Sequence, residues 1–287
     1  MLIRFVTDNL FSISRAGLAA LCLCPGLALA QDAPSDAVLG NANDPDAAVA
    51  YFGGTVLYNS EYLGSADEEF RVLPNLSVYN FKGFDFAALA LSYDLVDIGG
   101  GEGLGSWSLR LGPRAGYQFG RDSDDSETLT GLEDIDGSLV TGGFVRASYG
   151  PVGVRVNAGQ DIIGGHDGFV LDASVGTQLP LGNFVIQPSV SLNWADSEHN
   201  QSFFGITPEQ AAITGLDSFS IGSGIYGYSF NAVGWVDIGQ WQASASFSYR
   251  RFVEDSLDSP IINAVEGSRN GIFSNISLTR KFDLSRY

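Results

Sequence analysis

Long runs of alternating apolar and polar residues extend from about position 50 towards the C-terminus, and they constrain the fold more than any other feature. In the run 107–119 every second residue from Trp107 to Phe119 is aromatic, aliphatic or proline, and the intervening residues are Ser, Arg, Gly and Gln. The run 241–251 repeats this pattern. Side chains of a β-strand point alternately to opposite faces. The alternation therefore predicts strands with one apolar and one polar face.

Clusters of turn residues divide the alternating region into about twelve segments. The count depends on Asn231, because a continuous strand through this residue would leave eleven. A closed bacterial barrel has an even number of strands, so we expect twelve, with ten as the alternative. The predicted strands are 51–59, 70–80, 84–94, 106–119, 138–149, 152–161, 167–179, 184–195, 219–229, 231–238, 241–251 and 270–282.

The connections between these segments fall into two classes of length. Short turns are predicted at 80–83, 150–151, 179–183 and 238–240, and long loops at 120–137, 195–216 and 253–270. Long loops on a rigid barrel are where partner contacts usually lie.

Three features favour a transmembrane barrel over a soluble sandwich. Many segments reach ten residues, which is enough to cross a bilayer when the strand is tilted. Aromatic residues lie at segment ends, where the girdles of a membrane barrel would be. Strands can satisfy all their backbone groups in lipid only when the sheet closes. We therefore predict an all-β fold, a transmembrane antiparallel β-barrel of about twelve strands.

The N-terminus has the organisation of a secretory signal peptide. Arg4 and Arg15 precede an apolar stretch, 16–29, which ends in the small-x-small sequence that closes at Ala30. We expect cleavage after Ala30, export, and residence in the cell outer membrane of a Gram-negative bacterium. The predicted organisation is a signal peptide at 1–30, a flexible acidic leader at 31–49 and the barrel at 50–287.

Cysteine content and charge exclude several classes of site. Cys22 and Cys24 are the two cysteines and both precede Ala30, so the mature chain would have neither disulfides nor cysteine metal sites. The net charge is −18 for the whole chain, and the mature part holds 13 basic and 32 acidic residues. Such an acidic chain would repel nucleic acid.

Four loop segments carry a family resemblance. They begin at Asn59 (NSEYLGS), Gly120 (GRDSDD, then LTGLEDIDG), Trp194 (WADS, then FFGITPEQ) and Asp255 (DSLDSPII). In order and spacing they resemble the MipA/OmpV family, the MltA-interacting outer-membrane proteins, across about residues 50–282. The candidate partner contacts in these motifs are Glu61, Tyr62, Gly64, Ser65, Gly120, Arg121, Asp122, Trp194, Asp196, Phe203, Phe204, Gly205, Thr207, Asp258, Ser259 and Pro260.

The resemblance implies a scaffold in the outer membrane. Members hold a lytic transglycosylase near a penicillin-binding murein synthase, and others are described as surface antigens or adhesins. Members usually end on an aromatic residue that closes the last strand. Here Phe282 would be that residue, but 283–287 follow it and end on Tyr287, which leaves the register of the last strand open.

The sequence offers little for catalysis. A barrel enzyme that hydrolyses lipid esters needs a base beside its nucleophile. His166 lies in a glycine-rich turn, and His199 lies in a long loop near Ser197 and Ser202. Since no third, positioning group is visible, we interpret both as solvated loop histidines and expect no enzyme activity.

An acidic run between Asp122 and Asp136 includes a partial calcium-loop spacing. The glycine that such a loop needs at its turn is replaced by Glu127, so we interpret the run as a solvated acidic loop and expect no metal or cofactor. Binding of divalent cations that bridge lipopolysaccharide remains the alternative.

Four arginines fall on polar strand faces and would point into the lumen: Arg110, Arg114, Arg146 and Arg155. They could pair with acidic residues such as Asp172 and close the lumen, or they could line a solute path. A barrel of twelve strands or fewer leaves little room for a wide channel, which favours the closed lumen.

Together these features predict a non-enzymatic outer-membrane scaffold that links a murein hydrolase to a murein synthase. Its other contacts would be membrane lipid and lipopolysaccharide. The alternatives are a narrow solute channel, a surface adhesin or antigen, and, with less support, a lipid-modifying barrel enzyme.

Overall fold

A single antiparallel sheet closes on itself in the computed structural model, which describes residues 47–100 and 105–286. β1 (Val49–Ser60) pairs with β14 (Asn270–Asp283) along nearly its whole length and so joins the first strand to the last. The closed antiparallel barrel that the alternation predicts is therefore confirmed. Residues of the predicted signal peptide and most of the leader lie outside the described ranges.

Fourteen strand segments fill twelve strand positions around the barrel, because two of these positions are each divided between two segments. β4 and β5 both pair with β6, and β9 and β10 both pair with β11. The segments between β1 and β14 are β2 (Glu68–Phe81), β3 (Phe84–Ala87), β4 (Ala90–Tyr93), β5 (Val96–Gly100), β6 (Trp107–Gln118), β7 (Ser138–Tyr149), β8 (Val152–Asp161), β9 (Phe169–Thr177), β10 (Leu179–Leu181), β11 (Phe184–Ala195), β12 (Gly224–Ile238) and β13 (Trp241–Phe252).

The predicted count of twelve is confirmed, but three predicted strands, 84–94, 219–229 and 231–238, were placed wrongly. β12 continues through Asn231, whose side chain donates to the Ser191 hydroxyl 2.8 Å away. Conversely, the predicted strand 84–94 turns back at Ala88 and Leu89 to give β3 and β4. Both turn residues have positive φ, 47° and 59°, a conformation that alanine and leucine seldom adopt and that their sequence does not predict.

Prolines within the long strands lie opposite interruptions of the neighbouring strand. Pro113 in β6 faces the break between β4 and β5, and Pro188 in β11 faces the break between β9 and β10. Pro74 in β2 lies where β3 offers no pairing. Proline has no N–H to donate, so a sheet tolerates it where no partner strand requires that hydrogen bond.

The barrel has two unlike ends. One end of the barrel, here called the turn end, holds the tight turns at 82–83, 150–151, 182–183 and 239–240. Residues 47–49 and the last residue of β14 lie at the same end. The predicted short turns are therefore confirmed. Five long connections lie at the opposite loop end: 61–67, 119–137, 162–168, 196–223 and 253–269.

The outer surface is an apolar belt with aromatic residues near both rims. Exposed aromatic residues near the turn end are Trp107, Tyr149, Phe184, Trp241 and Phe282, and those near the loop end are Phe70, Tyr117, Tyr228 and Phe230. Such paired girdles are typical of barrels that cross an outer membrane. Phe282 pairs with Ala50 and is the last aromatic residue of β14. No helix in the described part of the chain is both long and apolar enough to cross a membrane.

Candidate functional site

The long connections pack against one another and form what we call the loop cap, comprising 61–67, 119–137, 162–168, 196–223 and 253–269. Two short helices, α1 (Ser197–Phe204) and α2 (Pro208–Thr214), lie in the connection 196–223. The cap has its own apolar core, in which Phe203 and Phe204 of α1 contact residues of the strand ends below. The four motifs of the sequence therefore meet in space within one packed structure.

Asp196 fixes the start of α1. One carboxylate oxygen accepts the backbone N–H of His199 at 3.1 Å, and the other accepts that of Phe169 at 2.7 Å. The first contact satisfies a helix N–H that has no intrahelical partner, and the second ties the helix to β9. The motif residue Trp194, two positions earlier, packs edge-on against Phe169 with ring centroids 6.3 Å apart.

Two side chains from other loops fix the end of α1. The buried Arg121 guanidinium donates to the Phe203 carbonyl at 3.0 Å, and the Ser259 hydroxyl donates to the Phe204 carbonyl at 2.7 Å. A cation is favourable there because the C-terminal end of a helix carries partial negative charge. Burial lowers the pKa of Arg121 to about 10, so the guanidinium remains charged at neutral pH.

The first loop of the cap is joined to the last. Ser268 donates its N–H to the Gly64 carbonyl at 2.7 Å, and the Ala66 N–H donates to the Glu266 carbonyl at 2.8 Å. Gly64 has φ +99°, a backbone conformation that favours glycine, and a Cβ there would also press on the end of the Ile262 side chain. The Glu266 carboxylate in turn accepts the N–H of Thr128 from the second loop.

Most of the motif residues face the interior of the cap. The contacts inside the cap give these motif residues structural roles. The same contacts leave little of the residues' surface available to a partner. Eight are buried (Tyr62, Gly64, Ser65, Arg121, Phe203, Phe204, Gly205 and Ser259), six are half-buried (Glu61, Gly120, Asp122, Trp194, Asp196 and Pro260), and Thr207 and Asp258 are exposed.

The two histidines lie side by side in the cap, so the interpretation that they are solvated is wrong. Their ring centroids are 4.8 Å apart, and His199 also packs on Phe203 and Tyr226. His166 Nδ1 accepts the N–H of Gly168 at 3.0 Å, so that nitrogen is not free to act as a base. The sequence did not reveal this pair because the two residues come from different loops.

Burial of the pair disfavours a charge on either ring. Desolvation lowers the pKa of His166, although the carboxylates of Asp161, Asp196 and Asp167 oppose the shift. Desolvation, together with the neighbouring His166 and Arg250, lowers the pKa of His199 to about 3, although the hydrogen bond with Asn200 opposes the shift. Both rings are therefore neutral at neutral pH in the closed cap.

Carboxylates of the acidic run are used within the cap. Asp125 accepts the N–H of Asp122 at 3.1 Å, and Asp134 accepts the N–H of Ser123 at 2.7 Å. Within the described residues no group of three or more His, Cys, Asp or Glu side chains is arranged to hold a metal ion.

The four lumen arginines lie on the inner wall, as their strand positions place them. Arg110 forms ion pairs with Asp97 at 3.2 Å and with Asp94 at 3.8 Å. Arg146 lies 3.8 Å from the Asp85 carboxylate. The acidic partners of Arg110 and Arg146 thus come from β3 and the β4–β5 crossing. The sequence had instead suggested Asp172 as a partner.

Arg155 lies directly opposite Arg146 in the β7–β8 pair, and Arg114 lies closer to the loop end. The fully buried Arg155 donates through Nε to Asn157 at 3.0 Å, and Arg155 and Arg146 both lie over the Phe144 ring. Arg114 lines a small polar cavity with Gln118, Asn157 and Asp172. Large polar side chains therefore fill the inner wall at several levels.

Asp161 is a structural residue that the sequence analysis missed. Its carboxylate accepts the N–H groups of Ile163, His166 and Asp167 and so shapes the loop that holds the histidine pair. An Asp at a strand end, followed by Gly164 and Gly165, is a turn signal that could have identified it.

Comparison with known proteins identifies the family. The model of the MltA-interacting protein MipA matches residues 52–282. The chain belongs to the MipA family. This membership and the closed barrel support an outer-membrane location. No curated protein sequence matches the chain.

A search of solved structures gives matches to outer-membrane proteins at low identity and low TM-score. They include a bacterial polysaccharide outer membrane secretin (9% identity, TM-score 0.32, covering 83% of this chain and 99% of that one). The CymD monoaromatic hydrocarbon channel has 9% identity and a TM-score of 0.35, and the match covers 82% of this chain and 88% of that one. OmpT of Vibrio cholerae has 10% identity and a TM-score of 0.27, with coverage of 82% and 97%.

Proposed function

We propose that this barrel is a non-enzymatic scaffold that holds a murein hydrolase, of the lytic transglycosylase class, close to a murein synthase. The observation that carries the proposal is the match of residues 52–282 to a family described as MltA-interacting. The scaffold would couple cleavage and synthesis of peptidoglycan by keeping both enzymes at one place on the membrane.

The contacts of the histidines support a non-enzymatic role. His166 uses Nδ1 to accept a backbone N–H and directs Nε2 towards Gln118 at 3.3 Å. His199 is fully buried against aromatic rings. A histidine that activates a serine needs one nitrogen free to take the proton and a second group to orient the ring.

The lumen contacts favour a scaffold over a channel. Ion pairs and buried arginines occupy the inner wall, and the loop cap packs over one end. A solute path would require these side chains to move apart, whereas a scaffold uses only the outer ends of the barrel.

We infer that the murein enzymes contact the turn end. Bacterial outer-membrane barrels have short periplasmic turns and longer extracellular loops, and their termini meet the periplasm. By that rule the loop cap faces the outside of the cell, and the turn end faces the periplasm and its peptidoglycan. Exposed basic residues at the turn end include Lys82, Arg280 and Arg286, whereas the loop end is strongly acidic.

A capture experiment with blocked ends tests this proposal. The mature chain is free of cysteine if cleavage follows Ala30, so a Lys82→Cys or a Val265→Cys variant can carry a bulky polymer at one end only. We expect the unmodified barrel to capture a purified lytic transglycosylase, and the polymer to prevent capture at position 82 but not at the exposed loop position 265. Failure of the unmodified barrel to capture the enzyme at moderate salt would refute the scaffold proposal.

A further inference from the structure

Two arginines lie at adjacent positions of the β13–β14 pair, at the loop end of the barrel. Arg251 is the next-to-last residue of β13 and pairs with Asn270, the first residue of β14. Arg269 directly precedes Asn270, and its carbonyl accepts the N–H of Phe252. The register of the two strands therefore brings both arginines to one short stretch of the rim.

Arg251 points outward, towards the lipid. Side chains of β13 alternate between its two faces, and Arg251 shares a face with Trp241 and Phe247, which are exposed on the apolar belt. On β12 its paired residue is Tyr228, one of the exposed aromatic residues near the loop end. Aromatic girdles lie at the level of the lipid head groups. Arg251 therefore lies where the apolar belt ends and the head groups begin.

Neutral amides orient both arginines. Arg251 Nη1 donates to Asn270 Oδ1 at 2.9 Å, and the Tyr249 hydroxyl donates to the same oxygen at 2.7 Å. Arg269 Nη2 donates to Asn263 Oδ1 at 3.0 Å. An amide oxygen carries no net charge, so it fixes the direction of a guanidinium without neutralising it.

Carboxylates do not compensate these charges. Within residues 47–100 and 105–286 neither arginine forms an ion pair. The acidic residues closest to them along the chain are Glu254 and Glu266. The Glu266 carboxylate accepts the N–H of Thr128, and that of Glu254 lies beside Gly224. Two positive charges therefore remain uncompensated at the outer rim of an otherwise acidic loop end.

We propose that Arg251 and Arg269 bind a phosphate group of an outer-leaflet lipid, the phosphorylated lipid A part of lipopolysaccharide. The loop end of a bacterial barrel faces the outside of the cell, so the lipid beside this rim belongs to the outer leaflet. A guanidinium has five N–H donors, and each arginine uses one of them on its asparagine. The remaining donors suit the oxygens of a phosphate, which guanidinium groups bind with charge-assisted hydrogen bonds.

The wall below the arginines favours a lipid over a soluble anion. Phe247 of β13 and Ile276 and Leu278 of β14 are 48%, 70% and 54% exposed on the outer face, between the arginines and the turn end. A phosphate bound at the rim could stay joined to acyl chains that lie against these side chains. A free phosphate would gain the charged contacts alone.

Titration of the purified barrel with three ligands tests the proposal: lipid A with its phosphates, dephosphorylated lipid A, and inorganic phosphate. Arg251→Gln and Arg269→Gln should each weaken binding of phosphorylated lipid A about fivefold, and the double variant about 25-fold. Dephosphorylated lipid A should bind the unaltered barrel and the double variant equally. The control is Arg280→Gln, because Arg280 also points outward and donates to an amide oxygen but lies at the turn end; it should keep full affinity.

Asn270→Asp separates the charge of Arg251 from its placement. The aspartate keeps an oxygen acceptor for Arg251 but adds the carboxylate that the rim lacks, so binding of phosphorylated lipid A should weaken about fivefold with both arginines present. Thermal unfolding of each variant checks that the barrel is folded.

Three results would overturn the proposal. One is full affinity of the double variant for phosphorylated lipid A, and another is an equal loss for the phosphorylated and dephosphorylated forms. The third is competition by inorganic phosphate at the concentration of the lipid itself, which would make this a site for a free anion.

Discussion

Acid should loosen the loop cap, because the cap buries His199 as a neutral ring. The pKa of His199 is about 3 in the closed cap, against 6.5 for an exposed imidazole. Since the closed-state pKa is the lower one, the stability that this ring contributes is complete above pH 6.5. It is lost as the pH falls from 6.5 towards 3.

The size of the effect follows from the two pKa values. Between pH 7.5 and pH 5.0, the free energy that holds the cap closed should fall by about 2 kcal/mol, or about 30-fold in the opening equilibrium, from His199 alone. Burial also lowers the pKa of His166, so its contribution has the same sign, reduced by the carboxylates of Asp161, Asp196 and Asp167.

Hydrogen exchange followed by mass spectrometry measures this opening. After correction for the intrinsic pH dependence of exchange, peptides from α1 and from 162–168 should exchange about 30-fold faster at pH 5.0, and peptides from β13 should not change. His199→Phe keeps an aromatic ring among Phe203 and Tyr226 but cannot be protonated, so it should remove most of the acceleration. Equal corrected rates at the two pH values, or full acceleration in the His199→Phe variant, would refute the reasoning.

Three further substitutions test separate parts of the structure. Arg121→Met removes the charged donor to the end of α1 and should lower the free energy that holds the cap closed by about 3 kcal/mol. The loss should be seen as faster proteolysis within 196–223. Arg269 is exposed, so the control Arg269→Met should have little effect. Val190→Arg places a charge in the apolar belt and should destabilise the barrel by about 2–4 kcal/mol in urea titrations in lipid, while Val265→Arg in the cap should leave it unchanged. Gly112→Val should hinder folding, measured by heat-modifiable gel migration, because a Cβ there would overlap the Tyr93 carbonyl; normal folding of this variant would contradict the close crossing.

The pattern of side chains was sufficient to predict the closed sheet. The strand number of twelve came out right because the undivided β12 and the divided segment 84–94 offset each other. Alternation such as that from Trp107 to Phe119 indicates which face of a strand contacts lipid. Each strand needs its own apolar face towards lipid, so the pattern predicts the strands one by one. The pattern failed where the backbone departs from a regular strand. A turn at Ala88 and Leu89 has no turn residues to announce it, because apolar side chains are favoured at that position in the wall.

Some signals for the missed features were present in the sequence. Asp196 is the N-cap residue of α1, and Thr207 is that of α2. Pro208 is in the first turn of α2, and Gly215 follows its last turn. These signals could have predicted both helices inside the long loop. Likewise Pro113 and Pro188 mark breaks in the strands beside them.

The histidine pair and the setting of Arg121 depend on long-range contacts between loops. Arg121 reaches α1 across 82 positions of sequence, and His166 meets His199 from a different connection. Local patterns carry no information about such meetings, so exposed loops were the natural expectation for residues that the cap in fact buries.

Cross-linking in living cells tests the scaffold most directly. A photoreactive residue would be placed at Lys82 on the turn end in one variant and at Val265 on the loop end in another, and the cross-linked proteins would be identified after irradiation. The account predicts a lytic transglycosylase or a penicillin-binding synthase at position 82 and neither at position 265. Recovery of these enzymes only at position 265, or at neither position, would contradict it.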